Sequence, residues 1–260
     1  MSCIRSLLFL AVLAAALPCS RAAEDKKGGK TNEPPKVIGV FPFAVSAGAT
    51  NKFKVRGLNL TNATALRFPT AEKLSAEIKS RGKAAVPEKA DAKKVGDTQL
   101  EVELALPNDF PPGDLAFFIN TPDGDTDTNQ LRVIERTILF DEKEPNGGFR
   151  KPNQIKVPQT IRGSIEAPND VDVFQFSGKA GQKLRVESLS VRYGSSLDPI
   201  VALHDSKGHT LVTSDDDVPG SADAVVRFTF AKDGSYFLSV MDAHDRGGPT
   251  YSYLLVVGEE

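Results

Sequence analysis

The sequence predicts an all-β protein made of two β-sandwich domains behind a cleaved export signal. Short segments of alternating polar and apolar residues follow one another through most of the 260-residue chain, and turn-forming residues separate them. The start of the chain has the layout of a secretory signal peptide. Alternation with a period of two places every second side chain on the same face of a sheet, so one face can be buried while the other stays in water.

The predicted signal peptide occupies residues 1–22. Arg5 supplies a positive charge, an apolar run of about a dozen residues continues to Leu17, and the small residues around Ala22 suit a signal peptidase. A membrane-spanning helix needs about 20 apolar residues, so this run is too short to be an anchor. We therefore expect export to the periplasm, the cell surface or the extracellular space, with no membrane insertion after signal cleavage.

The composition of the remaining chain excludes several classes of protein. Both cysteines, Cys3 and Cys19, lie inside the predicted signal peptide, so disulfides cannot stabilise the exported protein. Without Arg5 and Arg21 the chain has 30 basic and 34 acidic residues, a net charge near −4, which predicts no binding to nucleic acid. From Phe140 onward, 18 acidic residues face 13 basic ones, so a cation is expected in the second half.

Residues 23–35 are polar, charged and interrupted by Gly and Pro, which predicts a flexible linker. The first domain is predicted over residues 36–136. Its predicted strands lie at residues 37–41, 52–56, 63–68, 99–106, 115–120 and 131–134. The stretch 71–94 is open to two interpretations, a short helix or a strand at 76–78 followed by an exposed loop, and we favour the strand.

The second domain is predicted over residues 140–258, again without helical periodicity. Its predicted strands lie at residues 159–165, 171–177, 183–189, 199–204, 224–230, 235–241 and 251–257. Residues 225–230 and 236–240 are both strongly apolar, so we expect them to pair as core strands.

The first domain has a set of strand and turn positions at residues 35–42, Gly48, 53–60, 120–124 and 131–133. At these positions it resembles the IPT/TIG family of immunoglobulin-like domains. The resemblance implies a spacer or a partner-binding module, and the family pattern contains no catalytic residues.

The second domain contains a series of motifs: Glu144-Pro145-Asn146, then residues 161–165, 170–176, 180–184, 197–199, 204–208 and 233–237. In these motifs and in their order it resembles the bacterial pre-peptidase C-terminal (PPC) domain. The resemblance implies a jelly-roll-like β-sandwich of a family that is usually an accessory to a secreted enzyme.

A calcium site is predicted from five residues of the second domain. They are Glu142, Glu144, Asn146, Asp170 and Asp172. Residues two apart on an extended segment point the same way, and Ca²⁺ takes six to eight oxygen ligands of these types. Collagen-binding members of the PPC superfamily are similar at the Glu-Lys-Glu-Pro-Asn run, and the resemblance implies calcium there, although Gly147 replaces a further acidic residue. The alternative is a simple turn at 144–146 and a strand cap at Asp170.

Two other groups of polar residues are interpreted as structural and not as functional sites. Asp215, Asp216 and Asp217, with Asp242 and Asp245 in another loop, are interpreted as solvated turns because their spacing does not match an EF-hand. His204 and His209 flank a turn, so we expect surface or edge histidines. The chain has no Gly-x-Ser-x-Gly or His-Glu-x-x-His motif, so no enzyme is predicted.

These observations favour a secreted, non-catalytic accessory protein that binds or attaches to an extracellular protein or polysaccharide, and that calcium stabilises. Two alternatives are also compatible with the sequence. One is a metal-dependent hydrolase that uses the acidic loops, and the other is a purely structural spacer.

Overall fold

The computed structural model describes residues 33–86, 88, 90–216 and 220–260. Almost all of the regular structure in these ranges is β-strand, which confirms the predicted all-β class. The predicted signal peptide, residues 1–22, and most of the predicted linker, residues 23–35, lie outside the described residues. None of the helices in the described ranges is long and apolar enough to cross a bilayer.

Two sheets contain the strands of residues 36–134. Sheet 1 is antiparallel and has the order β1-β3-β6-β5. Its strands are β1 (Lys36–Phe41), β3 (Thr50–Leu58), β5 (Ala76–Lys83) and β6 (Thr98–Ala105). Sheet 2 has the order β2-β9-β7-β4, with β8 paired to β7. Its strands are β2 (Ala44–Ser46), β4 (Ala65–Arg67), β7 (Gly113–Thr121), β8 (Gly124–Asp125) and β9 (Asn129–Ile134).

The alternation in β3 shows why these segments form half-buried strands. Phe53 and Val55 are buried, whereas Lys52 and Lys54 point to solvent between them. The same period of two runs through β6, so the buried faces of both strands meet the core. The outer face of sheet 1 is therefore lined with charged side chains.

Two further sheets contain the strands of residues 139–259. Sheet 3 has the order β10-β12-β19-β14-β17. Its strands are β10 (Leu139–Asp141), β12 (Gln159–Ser164), β14 (Lys183–Leu189), β17 (Val225–Thr229) and β19 (Ser252–Glu259). Sheet 4 has the order β11-β13-β18-β15-β16. Its strands are β11 (Asn153–Gln154), β13 (Val171–Gly178), β15 (Pro199–His204), β16 (Thr210–Ser214) and β18 (Gly234–Asp242).

Each pair of sheets encloses a hydrophobic core, and the two cores touch. The first includes Phe117 between sheets 1 and 2, and the second includes Phe174 between sheets 3 and 4. Leu189 and Leu254 of sheet 3 also pack into the first core. Residues 33–260 accordingly form one compact unit, and the domain boundaries 36–136 and 140–258 stay predictions.

The strand β10 lies where the two halves of the chain meet. It pairs in parallel with β12, so Asp141 lies opposite Arg162 and the two side chains form an ion pair of 2.6 Å. Arg162 also donates a hydrogen bond of 2.8 Å to the carbonyl of Ala44 on β2. The chain that follows β10 therefore enters the second half from a fixed position.

Most of the predicted strands are present, and the stretch 71–94 contains the favoured strand. It forms β5, followed by a single helical turn, α1 (Ala92–Val95), with Asp91 as its N-cap. The predicted pairing of residues 225–230 with 236–240 is wrong. β17 pairs with β14 in sheet 3, and β18 pairs with β13 and β15 in sheet 4. Apolar alternation marks a buried strand but does not choose its neighbour, and the short turn between these two strands crosses from one sheet to the other.

Candidate metal centre

Three acidic side chains converge at the edge between sheets 3 and 4. Glu142, Glu144 and Asp172 each place a carboxylate oxygen within 4.8 Å of the other two. Glu142 and Glu144 follow β10 of sheet 3, and Asp172 is the second residue of β13 in sheet 4. The structure therefore brings together two acidic segments that are about 30 residues apart in the sequence.

Glu142 is fixed in place by the neighbouring strand β12. Its backbone N–H donates to the carbonyl of Arg162 at 3.0 Å, and its Oε1 accepts from the backbone N–H of Ser164 at 2.5 Å. Gly163 lies between these partners, and a Cβ there would collide with the Glu142 carboxylate and the Tyr253 ring. Glycine at position 163 thus allows the carboxylate to lie against the sheet.

Tyr253 bridges two of the three carboxyl groups from the middle of sheet 3. Its side chain is buried, and its hydroxyl lies 2.7 Å from Glu142 Oε2 and 2.7 Å from Asp172 Oδ2. A phenol has one proton, so Tyr253 can donate to only one carboxylate at a time. The pair of carboxyl groups therefore needs a further proton or a cation to balance its negative charge.

Buried polar atoms without partners lie at the same place. Asp172 and Asn146 are both fully buried, at 0% exposure. Among the described residues, Asp172 Oδ1 and both amide atoms of Asn146 have no hydrogen-bond partner. The Asn146 carbonyl accepts from Val173 N–H at 3.1 Å, which places Asn146 beside Asp172. Buried polar atoms are almost always satisfied, and the two oxygens, Asn146 Oδ1 and Asp172 Oδ1, have the chemistry of ligands for a hard cation.

The electrostatics of the cluster disfavour the simultaneous ionisation of Glu142 and Asp172. Burial, and after it the negative charge of Glu142, raise the pKa of Asp172 to about 10. Burial also raises the pKa of Glu142, while the hydrogen bond from Tyr253 opposes that shift. A bound divalent cation would reverse this balance because it stabilises the ionised form of each ligand.

The remaining predicted ligands are placed differently. Glu144 is exposed, and its Oε2 accepts from the backbone N–H of Asn146 at 2.9 Å. Asp170 is not one of the three clustered carboxylates. Its Oδ2 accepts from the backbone N–H of Glu166 at 2.7 Å across a turn, although its charge contributes to the raised pKa of Asp172.

Sequence reasoning missed Tyr253. Its hydroxyl contacts residues that are 111 and 81 positions away in the chain, so no local spacing could reveal the contact. Only the pairing of β12 with β19, which places Gly163 opposite Tyr253, brings the phenol to the acidic residues.

The second acidic group has a different composition from the predicted one. Asp198 joins Asp215 and Asp216, with carboxylate oxygens within 4.8 Å of one another, and Asp217 lies outside the described residues. Asp242 is buried and accepts hydrogen bonds from Arg246 at 2.9 Å and from the backbone N–H of Asp198 at 3.1 Å. Asp242 therefore serves to fix the loop.

The prediction of a surface or edge position is wrong for His204. This histidine is buried, and its Nε2 lies 2.9 Å from the hydroxyl of Ser239. The reason is that β15 lies inside sheet 4, between β18 and β16. His209, in contrast, is exposed and lies 3.2 Å from Asp205.

Comparison with known proteins identifies a family in part of the second half. Residues 170–241 match the family model of the bacterial pre-peptidase C-terminal domain. A curated protein of Deinococcus radiodurans, described as a probable subtilase-type serine protease, is 39% identical over 74 residues. That match covers 28% of this chain and 10% of the relative, so the chain spans about a tenth of the protease's length.

The solved structures that match have low sequence identity and low TM-scores. The pre-peptidase C-terminal domain of a collagenase from Bacillus anthracis is 20% identical, with a TM-score of 0.34, over 45% of this chain and 99% of that one. A Bacteroides ovatus protein, SGBP-B, solved with a mixed-linkage heptasaccharide, is 11% identical, with a TM-score of 0.28, over 81% and 74% of the two chains. The resemblance of residues 36–136 to IPT/TIG domains stays a prediction, whereas residues 170–241 carry the predicted similarity to the PPC domain.

Proposed function

We propose that this chain is an exported, non-catalytic binding module that attaches to an extracellular protein or polysaccharide, and that a calcium ion stabilises its second sandwich. The observation that carries the calcium site is the convergence of Glu142, Glu144 and Asp172 next to the unpartnered, fully buried Asn146. The match of residues 170–241 to an accessory domain family supports the binding role.

The chemistry of the donors favours calcium over other metals. All of the side-chain donors are oxygens from carboxylates and an amide, which suit hard cations, whereas zinc and copper sites use histidine or cysteine. Ca²⁺ accepts six to eight oxygens in flexible geometry. Four side chains would begin the coordination shell of the ion: Glu142, Glu144, Asn146 and Asp172. Bidentate binding by the carboxylates, main-chain carbonyls and water would complete that shell.

The position of the site favours a stabilising role for the ion. Glu142 belongs to the segment after β10, and Asp172 to β13, so an ion would link sheets 3 and 4 at their edge. Tyr253 closes one side of the site with its buried ring. A cation enclosed in this way binds the folded protein only, and it therefore stabilises the fold.

A calcium titration followed by thermal melting tests the metal site. We expect the melting temperature to rise with millimolar calcium after treatment with a chelator, because a ligand at 100 times its dissociation constant stabilises by about 2.7 kcal/mol. Glu144→Gln should reduce this rise. Glu166→Gln is the matched control, because Glu166 is also exposed and no hydrogen bond of its side chain is found in the described residues. An unchanged melting temperature for the unmodified protein would exclude the site.

Binding of the fluorescently labelled protein to cell-surface fractions tests the attachment role. We expect saturable binding that unlabelled protein displaces. Binding that rises linearly with concentration and is not displaced would contradict an attachment function and favour a spacer.

A further inference from the structure

One face of sheet 4 points away from the second core and is nevertheless buried. Leu238 and Val240 of β18 pack into that core, so the alternate residues Phe237 and Ser239 lie on the opposite, outer face. Phe237 is only 7% exposed and Ser239 only 8%. His204 of β15 lies on the same outer face, because its ring meets the Ser239 hydroxyl. An outer face that is buried to this extent needs a cover from another part of the chain.

A short segment between β10 and β11 covers the outer face of sheet 4. We call this segment, residues 147–151, the strap. The ring centroid of Phe149 in the strap lies 5.1 Å from that of His204 and 5.0 Å from that of Phe237. The turn at Gly208 flanks the same ring, since a Cβ built at Gly208 would lie 3.2 Å from it. Phe149 therefore shields His204 from solvent.

The strap is held on sheet 4 by this one ring. At its start, the carbonyl of Asn146 accepts from the N–H of Val173 at 3.1 Å, and after its end β11 pairs with β13. Between these anchors, the backbone hydrogen bonds found in the described residues are local. Gly148 N–H donates to Asn146 at 2.7 Å, and Lys151 N–H donates to Gly148 at 3.0 Å. Because Phe149 is itself 42% exposed, the strap can open at low cost while the sandwich stays folded.

The closed strap favours the neutral form of His204. The Nε2 atom lies 2.9 Å from the Ser239 hydroxyl, and Nδ1 lies 3.2 Å from the Thr210 hydroxyl. A neutral imidazole has one donor and one acceptor nitrogen, and a hydroxyl can take either role, so both nitrogens are satisfied without a charge. Burial lowers the pKa of His204, and the charge of Asp205 opposes that shift. A proton on His204 therefore costs less once the ring is in water.

The charged groups of the neighbouring elements do not provide a free carboxylate for a protonated His204. They are Arg150 and Lys151 on the strap, Asp205, Lys207 and His209 on the turn, Asp242 on β18 and Asp172 on β13, and β16 has none. Asp205 accepts from the backbone N–H of Lys207 at 2.8 Å and of His209 at 2.9 Å. Asp242 bonds to Arg246, and Asp172 bonds to Tyr253 on the core side of the sheet. The cations of the strap and the turn disfavour a second positive charge beside them.

We propose that the strap is a pH-sensitive cover, closed over neutral His204 and released when His204 gains a proton. Release exposes the outer face of sheet 4 around Phe237, whereas the core on the other face of the sheet stays intact. One proton is taken up on opening, so the ratio of open to closed strap rises by up to about tenfold for each pH unit below about 6.5. By the same linkage, removing the Phe149 ring makes His204 easier to protonate.

Acrylamide quenching of the variant Phe149→Trp tests the opening of the strap. The chain has no tryptophan, so this variant has a single fluorescent reporter. We expect the quenching constant to rise at least about twofold from pH 8 to pH 5, while far-UV circular dichroism stays unchanged. Adding His204→Gln should abolish the rise, because glutamine takes up no proton, whereas adding His209→Gln should leave it. Ile138→Trp is the matched control, since Ile138 is 39% exposed and lies outside the strap and sheet 4.

A proton NMR titration of the histidine rings tests the same linkage without the added tryptophan. The chain has three histidines, and Phe149→Ala should raise the titration midpoint of His204 while leaving those of His209 and His244 unchanged. An unchanged midpoint for His204 would overturn the proposal. So would quenching that does not rise at acid pH, a rise that persists with His204→Gln, or a loss of the β-sheet signal over the same pH range, which would indicate global unfolding.

Discussion

Tyr253 joins two acidic residues that are remote in the sequence. Its hydroxyl lies 2.7 Å from both Glu142 and Asp172 in a fully buried setting, so it holds the two carboxyl groups at a fixed separation. Burial and the two neighbouring carboxyl groups raise the pKa of Tyr253 well above its usual value, so the phenol stays protonated and remains a donor.

The substitution Tyr253→Phe should destabilise the protein in the presence of a chelator. Removing the donor leaves buried carboxyl oxygens unsatisfied, which costs about 1–3 kcal/mol of unfolding free energy. Urea denaturation measures the change. Tyr236→Phe is the control, because the Tyr236 hydroxyl bonds at 2.8 Å to a single backbone carbonyl, that of Lys232, and its loss should have a smaller effect. Equal effects of the two substitutions would contradict the bridging role.

His204 should make the stability of the protein depend on pH. Burial lowers the pKa of His204 from its usual value of 6.5. The unfolded chain therefore binds a proton more readily, and stability is fully present above pH 6.5 and is lost as the pH falls towards the folded-state pKa. Urea denaturation between pH 5 and 8 measures the slope of stability against pH, to which Asp172, with its pKa raised to about 10, contributes in the opposite direction. The contribution of His204 is the difference in slope between the unmodified protein and His204→Gln. His209→Gln, at an exposed site, should retain it, and a slope that both variants share would contradict the assignment.

Individual site residues differed in how well the sequence predicted them. Glu142, Glu144 and Asp172 could be found because residues two apart on extended chain share a face, and the structure brings their carboxylates together. Tyr253 and the burial of His204 could not be found, because both depend on which strands become neighbours in a sheet.

The strand β12 shapes the proposed metal centre through its glycine. Gly163 faces the Glu142 carboxylate and the Tyr253 ring at a distance that leaves no space for a methyl group. In the antiparallel register of β12 and β19, Gly163 lies opposite Tyr253, beside the proposed ligands.

The substitution Gly163→Ala should lower both stability and calcium affinity. Forcing a methyl group into this contact costs about 1–3 kcal/mol and displaces the Glu142 carboxylate. Thermal melting with and without calcium measures both effects. Gly258→Ala on β19 of the same sheet is the control, because nothing lies within 4 Å of its added Cβ. An alanine at 163 that melts like the control would show that the close approach is unimportant.

Strong alternation of polar and apolar residues predicted the longer strands well, whereas most of the short strands were not predicted. β3, β6, β13 and β14 follow the predicted segments because each buries several residues on one face. β2, β10, β11 and β16 were not predicted. Three of them have only two or three residues, too few to show a period, and they form because longer strands offer them an edge.

Over the whole molecule, the two halves are joined by an aromatic contact as well as by Arg162. Tyr193 stacks on Phe43 with ring centroids 4.6 Å apart, and its hydroxyl donates to Asp114 at 2.6 Å. Burial and the hydrogen bond to Asp114 raise the pKa of Tyr193 to about 12. These contacts join residues from different halves of the chain, so neither half of the sequence predicts them by itself.

The substitution Tyr193→Ala should lower the melting temperature by several degrees. It removes a stacked ring pair, worth about 0.5–1.5 kcal/mol beyond the buried area, and a hydrogen bond to a carboxylate. Val191→Ala in the same turn is the control, because Val191 is 39% exposed and should have little effect. Differential scanning calorimetry compares the two, and equal melting temperatures would show that the stacked pair does not stabilise the junction.

A crystal structure of the protein grown in calcium tests the proposed metal centre most directly. We expect one ion bound by Glu142, Glu144, Asp172 and the Asn146 amide oxygen, with metal–oxygen distances of about 2.3–2.6 Å. A structure in which these side chains surround ordered water, or in which Asp172 remains protonated against Tyr253 at saturating calcium, would contradict the account.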